Sequence, residues 1–316
     1  MMMKKVFLVL SFAFLSCCIH GKERMDRIDT LMSQMTLEEK LGQLNCLVAP
    51  GVIEKVRAGA VGSLFGRHDR AELMEWQRLA VEESRLGIPL LFGADIIHGY
   101  RTAFPVPLAL SATWNPGSME RAARISTVEA SSDGLTWLYN PMVDVCRDAR
   151  WGRCVEGAGE DPYLASVYSE TMVRGIQGDL KDEDEILACV KHFALYGASE
   201  AGRDYRETDM SPARMYNEYF PPYKAAVDAG VASVMSSFND VNGIPATGNR
   251  WLMTEVLRNQ WGFDGFVVSD YNAVGEMVRH GIGDRKTVSE LALSAGVDAD
   301  MMTEGYVQEL AASVEE

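Results

Sequence analysis

Residues 261–272, WGFDGFVVSDYN, place a carboxylate at the end of a predicted buried strand. After the break at Gly265, residues 266–268 form a short apolar run, which is typical of a strand buried on both faces of a parallel sheet. The run stops beside Asp270. In a barrel of parallel strands the carboxyl ends open onto the active-site face, so Asp270 is predicted either to take part in chemistry or to cap the next helix.

Strand-like and helix-like segments alternate along the rest of the chain. The strand-like segments lie at residues 60–65, 89–95, 136–145, 186–193, 233–239, 266–270 and 298–302, with a candidate for an eighth at 43–48. The helix-like segments lie at residues 70–86, 116–131, 162–178, 212–229, 251–260 and 287–295. Such alternation indicates a parallel sheet with crossover helices. We therefore predict an α/β fold, a TIM-type (β/α) barrel that is irregular and has seven or eight strands.

The net charge and the absence of known binding motifs argue against several classes of partner and cofactor. The formal net charge is −15, which argues against nucleic acid or an anionic membrane surface as the main partner. The sequence contains no His-x-His, His-Glu-x-x-His or Cys-x-x-Cys spacing, no Gly-x-Gly-x-x-Gly and no P-loop, so it predicts neither a metal site nor a nucleotide cofactor. Cys46, Cys146, Cys154 and Cys189 are expected to be buried free thiols, with a Cys146–Cys154 disulfide as the alternative.

The first 20 residues are typical of an export signal. Lys4 and Lys5 precede the apolar run at residues 6–15, which is too short to span a bilayer. Cys17 and Cys18 follow in a context similar to a bacterial lipoprotein cleavage site, so a lipid anchor on either cysteine and simple cleavage both stay open. We predict an exported protein in the periplasm or cell envelope.

Polar residues gather at the carboxyl ends of the predicted strands. Asp95, Asp144, Lys191, His192 and Asp270 occupy such positions. A rim of this composition suits a polyhydroxy ligand, because each sugar hydroxyl both donates and accepts hydrogen bonds. Lys191 emerges from a buried strand, which is costly unless the ammonium is paired. We expect Asp95 or Asp270 to pair with it; the alternative is a lysine that reaches solvent beside a core histidine.

Five motifs in the same order carry a resemblance to a known family. They are residues 87–101 (GIPLLFGADIIHGYR), 150–164 (RWGRCVEGAGEDPYL), 191–193 (KHF), 233–243 (SVMSSFNDVNG) and 262–270 (GFDGFVVSD). Through them the chain resembles glycoside hydrolase family 3, and within it the periplasmic β-glucosidase type, over residues 27–316. The resemblance implies that residues 21–316 form the N-terminal barrel domain of that family.

The resemblance also implies an activity and a set of site residues. The activity is hydrolysis of β-glucosidic bonds at the non-reducing end of oligosaccharides, by a retaining mechanism that needs no cofactor. Asp270 matches the family's nucleophile. The matching sugar contacts are Asp95, Arg153, Lys191, His192, Met235 and Phe238. Many relatives have Tyr where Phe238 stands and Trp where Tyr271 stands. We expect Lys191 and Arg153 to hold Asp270 ionised, because an opposite charge lowers a carboxyl pKa.

The general acid is the part that the motifs do not supply. Two-domain relatives take it as a Glu from a sandwich domain that follows the barrel, and single-domain N-acetylglucosaminidases of the family use an Asp/His pair in the loop after the Lys-His motif. Residues 193–210 contain Glu200, Glu207 and Asp209 but no histidine. The expectation is therefore a barrel without the acid/base domain. The alternatives are a sugar-binding barrel without catalysis and a β-xylosidase of the same family.

Overall fold

The computed structural model of the protein describes residues 27–48 and 51–315. The predicted export signal, with Cys17 and Cys18, lies outside the described residues. The first described helix, α1, covers residues 27–34. It is followed by α2 (Leu37–Gln43), which begins with a capping box between Thr36 and Glu39, as the Thr-x-x-Glu spacing predicts.

Eight parallel strands form one sheet, and two short strands form a separate hairpin. In chain order the strands are β1 (Asn45–Val48), β2 (Ser63–Phe65), β3 (Leu91–Ala94), β4 (Trp137–Leu138), β5 (Leu187–Phe193), β6 (Ser233–Ser236), β7 (Asp240–Val241), β8 (Ile244–Pro245), β9 (Phe266–Val268) and β10 (Asp300–Met301). The sheet order is β10-β1-β2-β3-β4-β5-β6-β9, and β7 pairs with β8. From β1 to β9 each strand of the sheet thus lies beside the sheet strand that precedes it in the chain, and β10 pairs with β1.

The sheet curls until β9 approaches β10. A single parallel bridge joins Val268 to Ala299, and the amide of Ser269 donates to the carbonyl of Ala299 at 2.8 Å. The prediction of a TIM-type barrel is confirmed, and β1 supplies the eighth strand that the sequence left open. The strands are shorter than predicted: within residues 136–145 only Trp137–Leu138 pairs as a strand.

Helices follow the strands and surround the barrel. They are α3 (Ile53–Arg57), α4 (Arg70–Arg78), α5 (Pro107–Ser111), α6 (Pro116–Ser132), α7 (Pro162–Gln177), α8 (Pro212–Arg214), α9 (Pro221–Asp228), α10 (Ala273–Glu276), α11 (Arg285–Ala295) and α12 (Gly305–Glu315). Wider π-helical turns occupy Leu79–Glu83, Met215–Tyr219 and Trp251–Gln260. The six predicted helices are present, although 212–229 divides at Pro221 because proline cannot donate the next helical hydrogen bond. No helix among the described residues has the length and apolar character that a membrane span requires.

The barrel interior is filled by side chains from its strands. This inner layer includes Cys46, Trp137, Tyr139, Cys189, Met235, Val268 and Met301. Gly93 on β3 is required here, because a Cβ at this position would lie 2.2 Å from the hydroxyl of Tyr139. Because side chains fill the barrel, no channel passes through it, and a ligand can bind only at one of its ends.

Two of the four cysteines beyond the export signal form a disulfide. Cys146 and Cys154 are bonded, whereas Cys46 and Cys189 are buried free thiols. The expectation of four free thiols is therefore wrong for Cys146 and Cys154. The loop after β4 turns back on itself, which brings their Cα atoms to 5.6 Å, and spacing along the chain could not reveal this turn.

Candidate active site

A cavity of about 380 Å³ opens at the carboxyl ends of the barrel strands. Its walls bring together six of the seven site residues predicted from the sequence: Asp95, Arg153, Lys191, His192, Met235 and Asp270. The other lining residues are Phe65, Ile97, Tyr139, Glu156, Tyr271 and Met301. Three carboxylates, three basic side chains and several apolar surfaces therefore face one volume of the size that a small ligand occupies.

Asp270 is held in place by the turn between β9 and α10. The hydroxyl of Ser269 donates to the carbonyl of Asp270 at 3.0 Å and accepts from the amide of Met301 at 2.9 Å. Asn272 adopts a left-handed conformation, and its amide donates to the carbonyl of Met301 at 2.8 Å. These contacts fix the end of β9 to β10, so the carboxyl group of Asp270 projects from a rigid backbone.

The carboxyl oxygens of Asp270 are unequally satisfied. Oδ1 accepts from the amide of Tyr271 at 2.6 Å. Oδ2 is buried and has no hydrogen-bond partner among the described residues, although the Nε2 of His192 lies 3.5 Å away. Burial raises the pKa of Asp270 above its ordinary value, and the nearby Lys191 ammonium and Arg153 guanidinium oppose this effect without overcoming it. The expectation that Lys191 and Arg153 lower this pKa is therefore wrong in its net direction, because desolvation is the larger influence.

Lys191 and His192 both reach the cavity although they are consecutive residues of a strand. In a regular strand such neighbours point to opposite faces. The register of β5 against β6 shifts between Val190 and Phe193, as in a β-bulge, and such irregularities redirect side chains. The ammonium of Lys191 is buried and forms an ion pair with Asp95, whose own side chain is 56% exposed. The predicted pairing is confirmed with Asp95 as the partner, and Lys191 does not reach solvent.

A buried network lies behind His192. Its Nδ1 lies 2.8 Å from the Oδ2 of Asp144, and its backbone amide donates to the same oxygen at 3.0 Å. The hydroxyl of Tyr223 lies 2.6 Å from the Oδ1 of Asp144. Although burial would raise the pKa of Asp144, these hydrogen bonds hold it below its ordinary value. Both oxygens of the buried Asp144 carboxylate therefore take part in hydrogen bonds.

Arg153 reaches the cavity from the loop after β4. The Cys146–Cys154 disulfide closes this loop beside Arg153, and the single 3₁₀ turn Cys154–Glu156 follows. Glu156 accepts two hydrogen bonds from the Arg153 guanidinium, at 2.7 and 3.0 Å. The guanidinium also lies 5.6 Å from the ring centre of Tyr196 and 3.2 Å, through Nη2, from the Nε2 of His192. These contacts orient a cation toward His192, on the side of the cavity where Asp270 lies.

Phe238 is the predicted site residue that takes a different place. Its ring packs 5.7 Å from Tyr196 and 4.7 Å from Tyr205, rather than lining the cavity. Tyr196 in turn lies 5.2 Å from the ring of His192. Phe238 therefore contacts the site through Tyr196.

Sequence reasoning missed two kinds of site residue. Phe65, Ile97, Tyr139 and Met301 line the cavity, yet apolar residues at strand ends look like core in a sequence. Tyr223 lies on α9, far along the chain from Asp144, so no local spacing indicates their contact. The alternation of Trp137 and Tyr139 at the start of the predicted strand 136–145 was the one usable signal for the cavity floor.

A metal centre finds no support in the part of the chain that the structure describes. Within residues 27–48 and 51–315, no group of three or more His, Cys, Asp or Glu side chains is arranged to hold a metal ion. The charged groups of the cavity instead pair with one another, as Lys191 does with Asp95 and Arg153 with Glu156. The arrangement can therefore supply a buried carboxylate beside several hydrogen-bonding groups.

Comparison with known proteins defines the class. The description "Glycosyl hydrolase family 3 N terminal domain" matches residues 36–316, and the chain belongs to that family. Among its relatives is a protein named periplasmic β-glucosidase from Salmonella typhimurium, 44% identical over 287 residues, which cover 88% of this chain and 38% of the relative. A β-xylosidase from Formosa agariphila is 35% identical over 90% of this chain and 37% of its own length.

A solved structure is also similar over most of this chain. The β-glucosidase from Listeria innocua, in complex with isofagomine, superposes with a TM-score of 0.88 at 41% identity, covering 92% of this chain and 43% of that one. The present chain thus spans about two fifths of the length of the proteins it matches.

Proposed function

We propose that this chain carries the sugar-binding site and the nucleophile of a retaining β-glucosidase that acts on the non-reducing end of β-linked oligosaccharides. The observation that carries the proposal is the buried carboxyl group of Asp270 on the cavity wall, whose Oδ2 has no hydrogen-bond partner among the described residues. A carboxylate with little solvation is a strong nucleophile, because it loses little stabilisation when it forms a bond.

The reaction has two steps. In the first, Asp270 forms an ester bond to the anomeric carbon while the glycosidic bond breaks, and the leaving oxygen takes a proton from a general acid. In the second, water attacks the anomeric carbon, the ester breaks, and the water's proton returns to the same group. Two inversions at one carbon retain its configuration.

The remaining cavity residues are proposed to hold the sugar. The Asp95 carboxylate can accept a hydrogen bond from one sugar hydroxyl, and the Lys191 ammonium can donate to a neighbouring one. On another side of the cavity, the Arg153 guanidinium is a donor and the imidazole of His192 is an acceptor. Met235 provides an apolar surface beneath the ring. Interactions remote from the anomeric carbon can favour the distorted ring of the transition state.

The general acid is proposed to come from outside the described residues. The other cavity carboxylates are Asp95 and Glu156, and each is paired with a cation. Both carboxylates thus face a cation of the site, whereas a general acid must be positioned to give its proton to the leaving oxygen. Glu200, Glu207 and Asp209 are exposed, and none of them lines the cavity.

Export to the periplasm or cell envelope is proposed on three grounds. The Salmonella relative is named periplasmic, the first 20 residues have the pattern of an export signal, and the Cys146–Cys154 disulfide suits an oxidising compartment. A lipid anchor at Cys17 or Cys18 is part of the proposal. The mass of the mature N-terminus tests it, since an unmodified N-terminus beyond Cys18 would exclude the anchor.

Trapping of the glycosyl-enzyme tests the proposal. A 2-deoxy-2-fluoro β-glucoside with a dinitrophenol leaving group should label the wild-type chain on Asp270, identified by peptide mass spectrometry. Asp270→Ala should abolish labelling, whereas Asp264→Ala, which removes an exposed aspartate of the same segment, should leave it unchanged. Label on another residue would refute the assignment.

Two further outcomes decide between the alternatives. Glucose binding without any labelling would indicate a sugar-binding barrel without catalysis. Faster labelling by the matching 2-fluoro xyloside would favour a β-xylosidase, the activity named for the Formosa relative. The higher identity to the Salmonella β-glucosidase favours the glucoside.

A further inference from the structure

The nitrogen atoms of His192 face two carboxylates on opposite sides of the ring. Nδ1 lies 2.8 Å from the Oδ2 of Asp144, deep in the barrel wall. Nε2 lies 3.5 Å from the Oδ2 of Asp270, which has no hydrogen-bond partner among the described residues. Only one of the two nitrogens carries a proton in a neutral imidazole. The nitrogen that carries it decides whether Asp270 receives a hydrogen bond.

The surroundings of Asp144 favour a proton on Nδ1. An ionised carboxylate can only accept, and the oxygen that faces Nδ1 already accepts from the backbone amide of His192 at 3.0 Å. Burial leaves no water to replace a missing donor, since Asp144 is 1% exposed. A proton on Nδ1 therefore satisfies the carboxylate, whereas an Nδ1 lone pair would face it unfavourably.

The cavity side gives independent support for the same tautomer. The Nη2 of Arg153 lies 3.2 Å from Nε2. A guanidinium can only donate, so this contact requires a lone pair on Nε2. The contacts of the imidazole with Asp144 and with Arg153 thus both favour a proton at Nδ1 and a lone pair at Nε2.

We propose that Asp144 and Tyr223 are positioning residues that keep the proton of His192 on Nδ1, and thereby leave the Oδ2 of Asp270 without a hydrogen bond. The inference rests on the proposed role of Asp270 as nucleophile. With the other tautomer, Nε2 would donate to Asp270 and stabilise its carboxylate before reaction. Such a bond must weaken as the ester forms, so it would slow the attack.

Tyr223 contributes by fixing the orientation of the network. Its hydroxyl lies 2.6 Å from the Oδ1 of Asp144 and 2.7 Å from the carbonyl of His192. An asparagine at position 144 would therefore turn its amide nitrogen toward the tyrosine oxygen and its carbonyl toward His192, which keeps the proton on Nδ1. The backbone amide of His192, which donates to the same oxygen at position 144, favours this orientation of the amide as well.

This reasoning defines a set of matched variants. Asp144→Asn is the conservative variant that should keep the tautomer. Asp144→Leu combined with Tyr223→Phe keeps the side-chain volumes similar, removes the acceptor that faces Nδ1 and should shift the proton to Nε2. Tyr306→Phe is the control, because it removes another fully buried tyrosine hydroxyl, one that donates to the carbonyl of Val297 away from the cavity.

The experiment is ¹⁵N NMR of the imidazole groups, with trapping by the 2-fluoro dinitrophenyl glucoside measured on the same samples. The wild type, Asp144→Asn and Tyr306→Phe should show His192 protonated on Nδ1. The double variant should show protonation on Nε2 and trapping slower by roughly 10- to 100-fold, the range of one hydrogen bond to a charged group. His192→Gln identifies the resonances by their disappearance.

The outcomes separate this inference from the proposed function. If His192 keeps its proton on Nδ1 in the double variant, the positioning role is refuted, whatever the activity. If the tautomer changes but the trapping rate does not, the link to Asp270 is refuted. Failure of the wild type to be labelled would count against the proposed function alone, because the NMR measurement does not depend on activity.

Discussion

Asp144 and Asp270 are both buried aspartates that face the same histidine, and their surroundings are opposite. The oxygens of Asp144 contact the His192 ring, the His192 amide and the Tyr223 hydroxyl, and its pKa lies below the ordinary value. Asp270 has one oxygen without a partner, and burial raises its pKa. The difference teaches that the fold fully hydrogen-bonds the carboxylate proposed to orient His192 and leaves one oxygen of the proposed nucleophile without a hydrogen bond from the described residues.

The largest expected effect concerns the chemistry on the Asp270 side. A positioned general acid contributes about 10²–10⁴-fold to a rate, and a sugar alcohol needs this help whereas dinitrophenolate leaves without it. The chain of 316 residues should therefore release dinitrophenol slowly from its β-glucoside and fail to hydrolyse cellobiose. Both rates can be followed on one preparation.

Cellobiose hydrolysis by this chain would change the proposed location of the general acid. Efficient cellobiose hydrolysis by this chain would place the general acid within residues 1–316, with Glu200 and Glu207 as the first variants to examine. Their exposed positions would then have to change when substrate binds. The proposed division, in which the described residues supply the nucleophile without the acid, would be wrong.

The second expected effect concerns binding on the other side of the cavity. Asp95 pairs with buried Lys191, and hydrogen bonds to charged groups contribute about 1.5–3 kcal/mol. Asp95→Ala should weaken glucose binding by roughly 10- to 150-fold at 1.4 kcal/mol per tenfold change. Calorimetric titration measures it, with Asp264→Ala as the control, since Asp264 is exposed on the segment before β9. Unchanged affinity in folded Asp95→Ala would remove Asp95 from the sugar site.

The sequence predicted much of the fold and the charged part of the site for one physical reason. Strand ends are local features, so a run such as residues 266–268 followed by Asp270 can be recognised without knowing what lies beside it. Contacts between distant segments are not local. The Asp144–Tyr223 contact, the Cys146–Cys154 bond and the shift in register around Lys191 all depend on packing between elements.

Electrostatics was the hardest feature to predict. The sequence shows that Lys191 and Arg153 carry charge, but it does not show how completely Asp270 is removed from water. Desolvation and nearby charge act in opposite directions on a carboxyl pKa, so their balance decides the sign. Here burial outweighs the cations, and the sign is the reverse of the one that charge alone predicts.

The most direct test of the contrast compares the stability of Asp270→Asn and Asp144→Asn between pH 4 and 7 by urea unfolding. A raised folded-state pKa means that Asp270 favours the fold below its ordinary value of 3.8 and that this contribution is lost as pH rises through the folded-state pKa. A lowered pKa means that Asp144 favours the fold above 3.8 and that this contribution is lost only at lower pH. At pH 7, Asp270→Asn should therefore raise the free energy of unfolding by about 1–3 kcal/mol.

That gain should shrink as the pH falls through the raised pKa of Asp270, where the wild type takes up a proton. Asp144→Asn should instead lower the free energy of unfolding by about 1.5–3 kcal/mol, with little change across the same range. Opposite signs at pH 7 are the result that the account predicts. Equal destabilisation by both substitutions, with no dependence on pH, would contradict it.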